Sequence, residues 1–572
     1  MTNKLLTQYF LSRIFKFKIY YGGSNSLTIE SNRNKWNTFE HKGVLFPPEY
    51  KKLNIPLIYE NKEVILPELA EEYALLYSKY IDSEYIKYKQ FNKNFWKDWK
   101  KTLLGTDIIE LDKCNFSNFV NYLNKEKLLR LNYAKGSNKE EKEQIKNDRN
   151  KQEEPYKTAI VDGKTQSVGN FKMEPPGIFI GRGNHPKLGC IKKRIYPEDI
   201  ILNIGKESKV PIPTILYHNK TTKIILYEGH KWQEVIHDHK VEWLASWKDN
   251  ISGKVKYVWL GNNSNFKMNS DLNKFELARK LKNIINKVKE VNNNNLTSND
   301  LLTRQLATAL YFIDSLALRV GNEKFEDESD TVGVTSLRVE HVKLLEDFKI
   351  TLDFLGKDSV RYKNTVTIPK QIYDNIQEFI INKTNDDNLF DLIKSNTLNK
   401  YLSNFFPELT AKVFRTYNSS RLFQDEINDI INKYKDYNKS DKFNFLIHLY
   451  NLANAKVALL CNHQKNISKG FKDQLSKIND SIRKTKEKKE LFKEKGKNTK
   501  NLKLMIDKLK RRKIVKQELK NLSLNTSKTN YIDPRITVAF MKTFDLPIEN
   551  IFTKTLIDKF QWAFDVDAKW QF

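Results

Sequence analysis

Tyr531 stands just ahead of Asp533-Pro534, a pair suited to starting a helix, because the aspartate caps free backbone N–H groups and a first-turn proline has no N–H to lose. Alone, a tyrosine in that position reads as a packing residue, its ring buried and its hydroxyl tied off. It reads as a nucleophile only if the chain supplies partners for it. Four other reactive groups fall at element ends or turns, in the order Arg319, Lys357, Arg415 and His463. That set suits attack of a phenol on a phosphodiester. The phosphate repels a nucleophile and gathers charge on its non-bridging oxygens, and guanidinium forks, always protonated, meet those oxygens two at a time. A lysine can protonate the departing oxygen, and a histidine can donate to the phosphate.

The elements that must position these groups follow from apolar spacing. Apolar residues at 302, 306, 309, 310, 313, 316, 317 and 320 predict a buried helix stopped by Gly321, with Arg319 in its last turn, where a cation suits the helix dipole. Alternation of Phe348, Ile350, Leu352 and Phe354 predicts a strand, Gly356-Lys357-Asp358-Ser359 a turn, and residues 360–368 a returning strand. Lys357 then sits at a hairpin tip. Residues 409–423 read as a helix with Arg415 among Val413, Phe414 and Tyr417, and residues 444–460 as an apolar helix that delivers Cys461-Asn462-His463-Gln464 at its end. Over 467–523 the composition turns lysine-rich. Leu475, Ile478, Ile482 and Phe492 in one arm, and Leu502, Met505, Leu509, Leu519 and Leu522 in the other, predict an antiparallel helical hairpin turning at Gly496-Lys497-Asn498.

A chain of 572 residues divides into several domains, and 39% hydrophobic with 30% charged residues is the composition of a soluble protein. No apolar run is long enough to span a bilayer, so no membrane partner is expected. Lys+Arg 99 against Asp+Glu 70 gives a net charge of +29, a field that attracts a polyanion such as nucleic acid; an AT-rich coding sequence would also enrich lysine. Cys114, Cys190 and Cys461 lie far apart, which excludes a disulfide framework or zinc ribbon. His237-Asp238-His239 lacks a third ligand at sensible spacing and reads as a surface loop. Gly163-Lys164-Thr165 lacks the first glycine of a phosphate loop, which would stand at Thr158, so no nucleotide site is expected. Phe91, Phe95 and Trp99 share a helical face with Leu103 and read as core, and residues 137–154 as an exposed polar helix or linker. In 174–186, two adjacent prolines and three glycines force a non-helical loop that holds Arg182 outward. Residues 1–29 carry Lys4, Arg13, Lys16 and Lys18 with no acidic residue, which fits a mitochondrial presequence or a disordered basic leader.

At its reactive residues the chain resembles the eukaryotic-type DNA topoisomerase I family, the type IB enzymes. The resemblance is carried by Leu318-Arg319-Val320-Gly321-Asn322-Glu323-Lys324, Phe354-Leu355-Gly356-Lys357-Asp358-Ser359, Lys412-Val413-Phe414-Arg415-Thr416-Tyr417-Asn418, Cys461-Asn462-His463-Gln464 and the Tyr531 stretch. It runs from about Trp36 to Phe572 and includes Ser336-Leu337-Arg338-Val339-Glu340-His341.

The resemblance implies an α+β multidomain protein, with a basic leader at 1–30, a mixed α/β DNA-binding cap at 31–245 and a mostly helical catalytic domain with β-hairpins at 246–466. Cap and catalytic domain would clamp the duplex. A coiled-coil linker at 467–523 and a small helical domain at 524–572 would follow. It implies transient single-strand cleavage through a 3′-phosphotyrosyl intermediate, with Tyr531 as nucleophile, Arg319, Arg415 and His463 stabilising the phosphorane, and Lys357 as acid. Arg182, Lys240, Asp358 and Asn530 resemble the family's DNA contacts. No cofactor and no metal is implied; the partner is double-stranded DNA and the expected state a monomer. A tyrosine site-specific recombinase and a non-catalytic architectural DNA-binding protein are the alternatives. The long charged N-terminal region common in nuclear members has no counterpart here, whereas Lys510-Arg511-Arg512-Lys513 is a basic cluster of the import type. The nucleus is the expected location and the mitochondrion the alternative. Ile180 stands where relatives carry a basic residue, and an insertion is expected near Tyr217–Tyr227, before Gly229-His230-Lys231-Trp232.

Overall fold

The computed structural model describes residues 34–136, 138–216, 224–226, 229–322, 328–437, 441–465, 467 and 470–572. The leader expected over 1–30, Glu323 and Lys324 of the first arginine motif, and residues 217–223 and 227–228 of the expected insertion lie outside the described residues. Two compact units divide the chain, Met1–Lys267 and Met268–Phe572. Both combine helices with small sheets, the α+β class the sequence implied.

In the first unit, Phe39–His41 pairs antiparallel with Thr158–Val161, which turns back into Lys164–Ser167. A four-stranded sheet runs in the order Glu234–Ile236, Ile200–Asn203, Trp243–Lys248, Val255–Trp259. Trp36, Phe39, Leu202, Leu244 and Val258 fill the core beneath these sheets. The turn at Asp162-Gly163 has φ of 47° and 72°, so Gly163-Lys164-Thr165 is the exit of a tight hairpin. Strand Thr214–Leu216, just before the expected insertion, pairs as a hairpin with Ile224–Leu226, which lies within it.

A second core holds the ring stripe. Phe91, Phe95 and Trp99 on helix Lys89–Trp99 are fully buried, Phe95 stacks on Tyr77 at 4.1 Å, and Lys89, Lys93 and Lys97 face outward. The polar stretch forms helix Lys139–Glu153, exposed over most of its length. His237 and His239 each set Nδ1 against a backbone carbonyl oxygen, of Ile204 at 2.7 Å and Trp36 at 2.8 Å, which ties the loop to its neighbours. Among the described residues no group of three or more His, Cys, Asp or Glu could hold a metal ion, and no helix is long and apolar enough to cross a membrane.

The second unit packs helices around one core with a three-stranded meander. Its site-bearing elements are α1 (Leu301–Ser315), β1 (Val342–Leu345), β2 (Lys349–Gly356), β3 (Val360–Thr367), α2 (Ala411–Tyr434), α3 (Lys442–Leu460), α4 (Phe471–Glu494), α5 (Lys500–Glu518), α6 (Leu524–Asn530) and α7 (Pro534–Phe544). Ile350, Leu352 and Phe354 bury one face of β2, as their alternation requires. Phe348 departs from the expected strand: it takes a positive φ of 51° in the turn before β2 and is exposed.

Helices α4 and α5 pack together across a turn in which Gly496 has φ 63°. Ile478 and Ile506 are buried between them, while Met505, expected on the seam, is 50% exposed. The reason is phase: Leu502, Ile506 and Leu509 keep a 4-3 repeat, and Met505 falls one position off it. At the base of α5, Arg511 pairs with Asp441 and lies 5.1 Å from the Phe445 ring centroid, so one member of the basic cluster at 510–513 is engaged within the fold.

Burial sets a pH dependence on the first unit. His41 Nε2 faces the Asn203 carbonyl oxygen at 2.8 Å, and Gly43 N–H donates to Nδ1 at 3.0 Å, the pattern of a neutral imidazole. Burial pulls its pKa from 6.5 down to about 4. Below pH 6.5 the unfolded chain therefore takes up a proton that the folded ring refuses, and stability present above 6.5 is lost as the pH falls toward 4. A shift of that size is worth about 3 kcal/mol. The thermal unfolding midpoint is expected to fall between pH 7 and 4, with a shallower slope in His41→Asn.

Candidate functional site

The Tyr531 backbone is held on both sides. Helix α6 ends at Asn530, and the Tyr531 N–H donates to the Ser527 carbonyl at 2.9 Å. From α2, the Ser420 hydroxyl donates to the Tyr531 carbonyl at 3.0 Å and accepts the Asp533 N–H at 3.0 Å, so one side chain clips both flanks of the buried Ile532. Fully buried Asp533 caps α7 through the Arg535 N–H and pairs with the Arg535 guanidinium at 2.8 Å. Arg535 in turn pairs with Glu276 at 2.6 Å and lies 4.6 Å from the Trp570 ring centroid. The helix start predicted from Asp533-Pro534 is therefore also an anchor.

Around the Tyr531 ring stand three of the other four reactive groups. Arg415 Cζ lies 5.2 Å and Arg319 Cζ 5.9 Å from the ring centroid, and the His463 imidazole stacks on it at 5.3 Å and 25°. Arg415 projects from the buried face of α2 and donates from Nη2 to the Cys461 carbonyl, which the end of α3 presents. Its Nε is buried without a hydrogen-bond partner. His463 sets Nδ1 2.8 Å from the Ser527 hydroxyl, and its Nε2 is likewise buried and unpartnered. Burial, then the neighbouring Arg415 and Arg319 guanidiniums, drive its pKa from 6.5 down to about 3, so the ring is neutral at physiological pH. Buried polar atoms in folded proteins are almost always satisfied. Two unsatisfied nitrogens beside one phenol, one of them a guanidinium N–H, mark a place where a ligand's acceptor atom belongs.

Arg319 reaches the cluster by a route that differs from the expected one. Helix α1 ends at Ser315, not near Gly321, because Ala317 turns into the left-handed region with φ 50° and breaks the hydrogen-bond ladder. Arg319 lies four residues beyond the helix, in an irregular segment braced by Val334 N–H to the Arg319 carbonyl at 2.9 Å and Thr335 N–H to the Val320 carbonyl at 2.7 Å. Gly321, with φ 85°, does not stop the helix. It permits contact with Gly333, where an added Cβ would lie 2.5 Å from Gly321 Cα and 2.7 Å from the Arg319 carbonyl oxygen.

Lys357 is not among the groups touching the ring; it is exposed at the β2–β3 tip, where Asp358 and Ser359 take φ of 68° and 56°. The hairpin is nevertheless tied to the cluster. Asn462 Nδ2 donates to the Arg361 carbonyl at 3.3 Å, and Val332 N–H donates to the Leu355 carbonyl at 2.8 Å. Asp358 shares the tip, and Asn530, exposed beside Tyr531, donates to the Thr526 carbonyl at 3.1 Å. In the first unit, Arg182 and Lys240 are both exposed. The Arg182 loop is shaped by Gly181, whose Cβ would meet His185 at 2.5 Å, and Ile180 is 42% exposed beside it.

Two residues escaped the sequence reading, Ser420 and Ser527, both fully buried. A signal for the first exists in Arg415, Thr416, Asn418, Ser419 and Ser420, a polar run on a face where α2 should be apolar. For Ser527 no spacing rule distinguishes it from an ordinary helix serine.

Residues 34–260 match the family description eukaryotic DNA topoisomerase I, DNA binding fragment; 263–496 match its catalytic core, and 503–572 the C-terminal topoisomerase domain. The chain is 42% identical over 562 residues to DNA topoisomerase 1 of Caenorhabditis elegans, an alignment covering 93% of this chain and 67% of that protein. It is 41% identical to DNA topoisomerase 1 of Homo sapiens over 94% of this chain and 72% of the other. Against DNA topoisomerase 1 beta of Arabidopsis thaliana the identity is 40%, over 97% of this chain and 61% of the other.

The Gly321–Gly333 contact yields a paired test. Gly333→Ala is expected to lower stability by about 1–3 kcal/mol through overpacking. Gly356→Ala, whose Cβ would meet nothing nearer than 3.5 Å, is expected to stay within about 0.5 kcal/mol of wild type in the same denaturant titration.

Proposed function

The chain belongs to the eukaryotic DNA topoisomerase I family, and from that premise we propose that it is a type IB topoisomerase, relaxing positive and negative supercoils by transient cleavage of one DNA strand. The observation that carries the mechanism is the Tyr531 ring framed by Arg319, Arg415 and His463, with Arg415 Nε and His463 Nε2 buried and lacking an acceptor. In this reading the Tyr531 oxygen attacks the scissile phosphorus as its proton leaves to water. The bond from phosphorus to the 5′ oxygen breaks, and Lys357 supplies the proton that makes the 5′-hydroxyl. A 3′-phosphotyrosyl link remains. It conserves the energy of the broken bond, so the reverse attack of the 5′-hydroxyl reseals the strand without ATP.

Arg319 and Arg415 donate to the non-bridging oxygens, which carry the growing charge, and His463 donates from Nε2. The positive charge that neutralises the phosphate comes from the chain itself. Arg182, Lys240, Asp358 and Asn530 contact the duplex around the break, a role their exposure allows. In the same reading, 31–245 and 246–466 clamp the duplex, 467–523 is a coiled-coil linker, and 524–572 is the domain that carries the nucleophile.

Incubation of supercoiled plasmid with the protein in EDTA and without ATP is expected to give a ladder of relaxed topoisomers. Denaturation in mid-reaction is expected to trap protein on a 3′ DNA end through Tyr531. Tyr531→Phe should form neither adduct nor ladder, and Arg415→Ala should slow single-turnover cleavage by about 10²-fold or more. Products that arise only from paired target sites, or relaxation by Tyr531→Phe, would overturn the reading.

A further inference from the structure

Ser527 lies four residues before Tyr531, and its side chain has no exposed surface. Its hydroxyl is 2.8 Å from His463 Nδ1, and among the described residues it has no other side-chain partner. Its carbonyl oxygen accepts the N–H groups of Tyr531 at 2.9 Å and Ile532 at 3.0 Å. One residue therefore touches both the nucleophile's backbone and the imidazole beside it.

A neutral imidazole has a single N–H, and the hydrogen bond on one nitrogen decides what the other offers. Were the proton on Nδ1, Nε2 would be a bare acceptor facing phosphate oxygens, which carry only lone pairs. With the proton on Nε2, the ring presents a donor to the phosphate, and Nδ1 must then accept. The hydroxyl is the group in place to satisfy it. The ring is confined by burial and by its stack on Tyr531, and its backbone is bound on both sides, His463 N–H to the Ala458 carbonyl at 2.8 Å and Ser523 N–H to the His463 carbonyl at 2.7 Å.

Resting on the reading of His463 as a donor to the scissile phosphate, we propose that Ser527 is a positioning residue for strand cleavage, whose hydroxyl donates to His463 Nδ1 and holds the imidazole in the tautomer that carries its proton on Nε2. Partners of this kind, behind a reacting group, change activity by about 10–100-fold when removed.

Single-turnover cleavage of an oligonucleotide whose 5′ product dissociates measures the effect in the full chain. Ser527→Ala is expected to slow cleavage about 10-fold with its thermal midpoint close to wild type, and Ser527→Cys, with a weaker donor of similar size, to fall between. In a His463→Ala background, where there is no ring to orient, Ser527→Ala is expected to add less than a roughly 2-fold effect. The ring ¹⁵N shifts of His463 report the tautomer directly: wild type is expected with Nδ1 bare, and Ser527→Ala with a mixture. Equal slowing by Ser527→Ala with and without His463, or an unchanged tautomer, overturns the proposal. Failure of wild type to form any covalent adduct would instead overturn the functional reading, so the two failures are distinguishable.

Discussion

Two guanidiniums, Arg319 and Arg415, converge on one tyrosine ring, and among the described residues neither is paired with a carboxylate. Like charges brought together away from water repel, and that repulsion is what the second unit is arranged to withstand. The same field adds to burial, the larger cause, in depressing the proton affinity of His463. A polar but uncharged anchor, the Cys461 carbonyl, holds Arg415 without cancelling its charge. A carboxylate in its place would hold the side chain equally well and leave less field for an anion.

Charge held this way needs a rigid frame, and the frame is mostly backbone. Arg319 rides on an irregular segment fixed by carbonyl contacts to Val334 and Thr335 and by two glycines in contact. Tyr531 is hydrogen-bonded through its own N–H and carbonyl and flanked at its ring by His463, Arg319 and Arg415, so the contacts that place it leave the phenol's oxygen uncommitted. The buried Asp533–Arg535 pair, extended by the half-exposed Glu276, does the same for the helix that follows. Removing one member of the buried pair strands the other, which makes such pairs better at fixing geometry than at adding stability.

The sequence conveyed periodicity well and termination poorly. The ring stripe at Phe91, Phe95 and Trp99 and the alternation at Ile350, Leu352 and Phe354 were legible because burial repeats along a regular element. The end of α1 was not, since the left-handed residue is Ala317, whereas Gly321 looked like the stop signal and serves a tertiary contact instead. The hairpin seam was readable to within one residue, Met505 standing where Ile506 belongs, because two apolar neighbours offer two phases. The groups that gather around the Tyr531 ring were legible by type and order, but the serines that hydrogen-bond to His463 and to the Tyr531 backbone were not. A hydroxyl becomes informative only once the fold brings a partner from 64 or 111 residues away.

The exposure of Lys357 at its hairpin tip separates it from the groups around the phenol, which are partly or wholly withdrawn from solvent. In the proposed reaction its ammonium gives a proton to the 5′ oxygen at each cleavage, and resealing, the reverse of that step, returns the proton from the 5′-hydroxyl to the same amine. Over a whole cycle of opening and closing the protein therefore neither gains nor loses a proton.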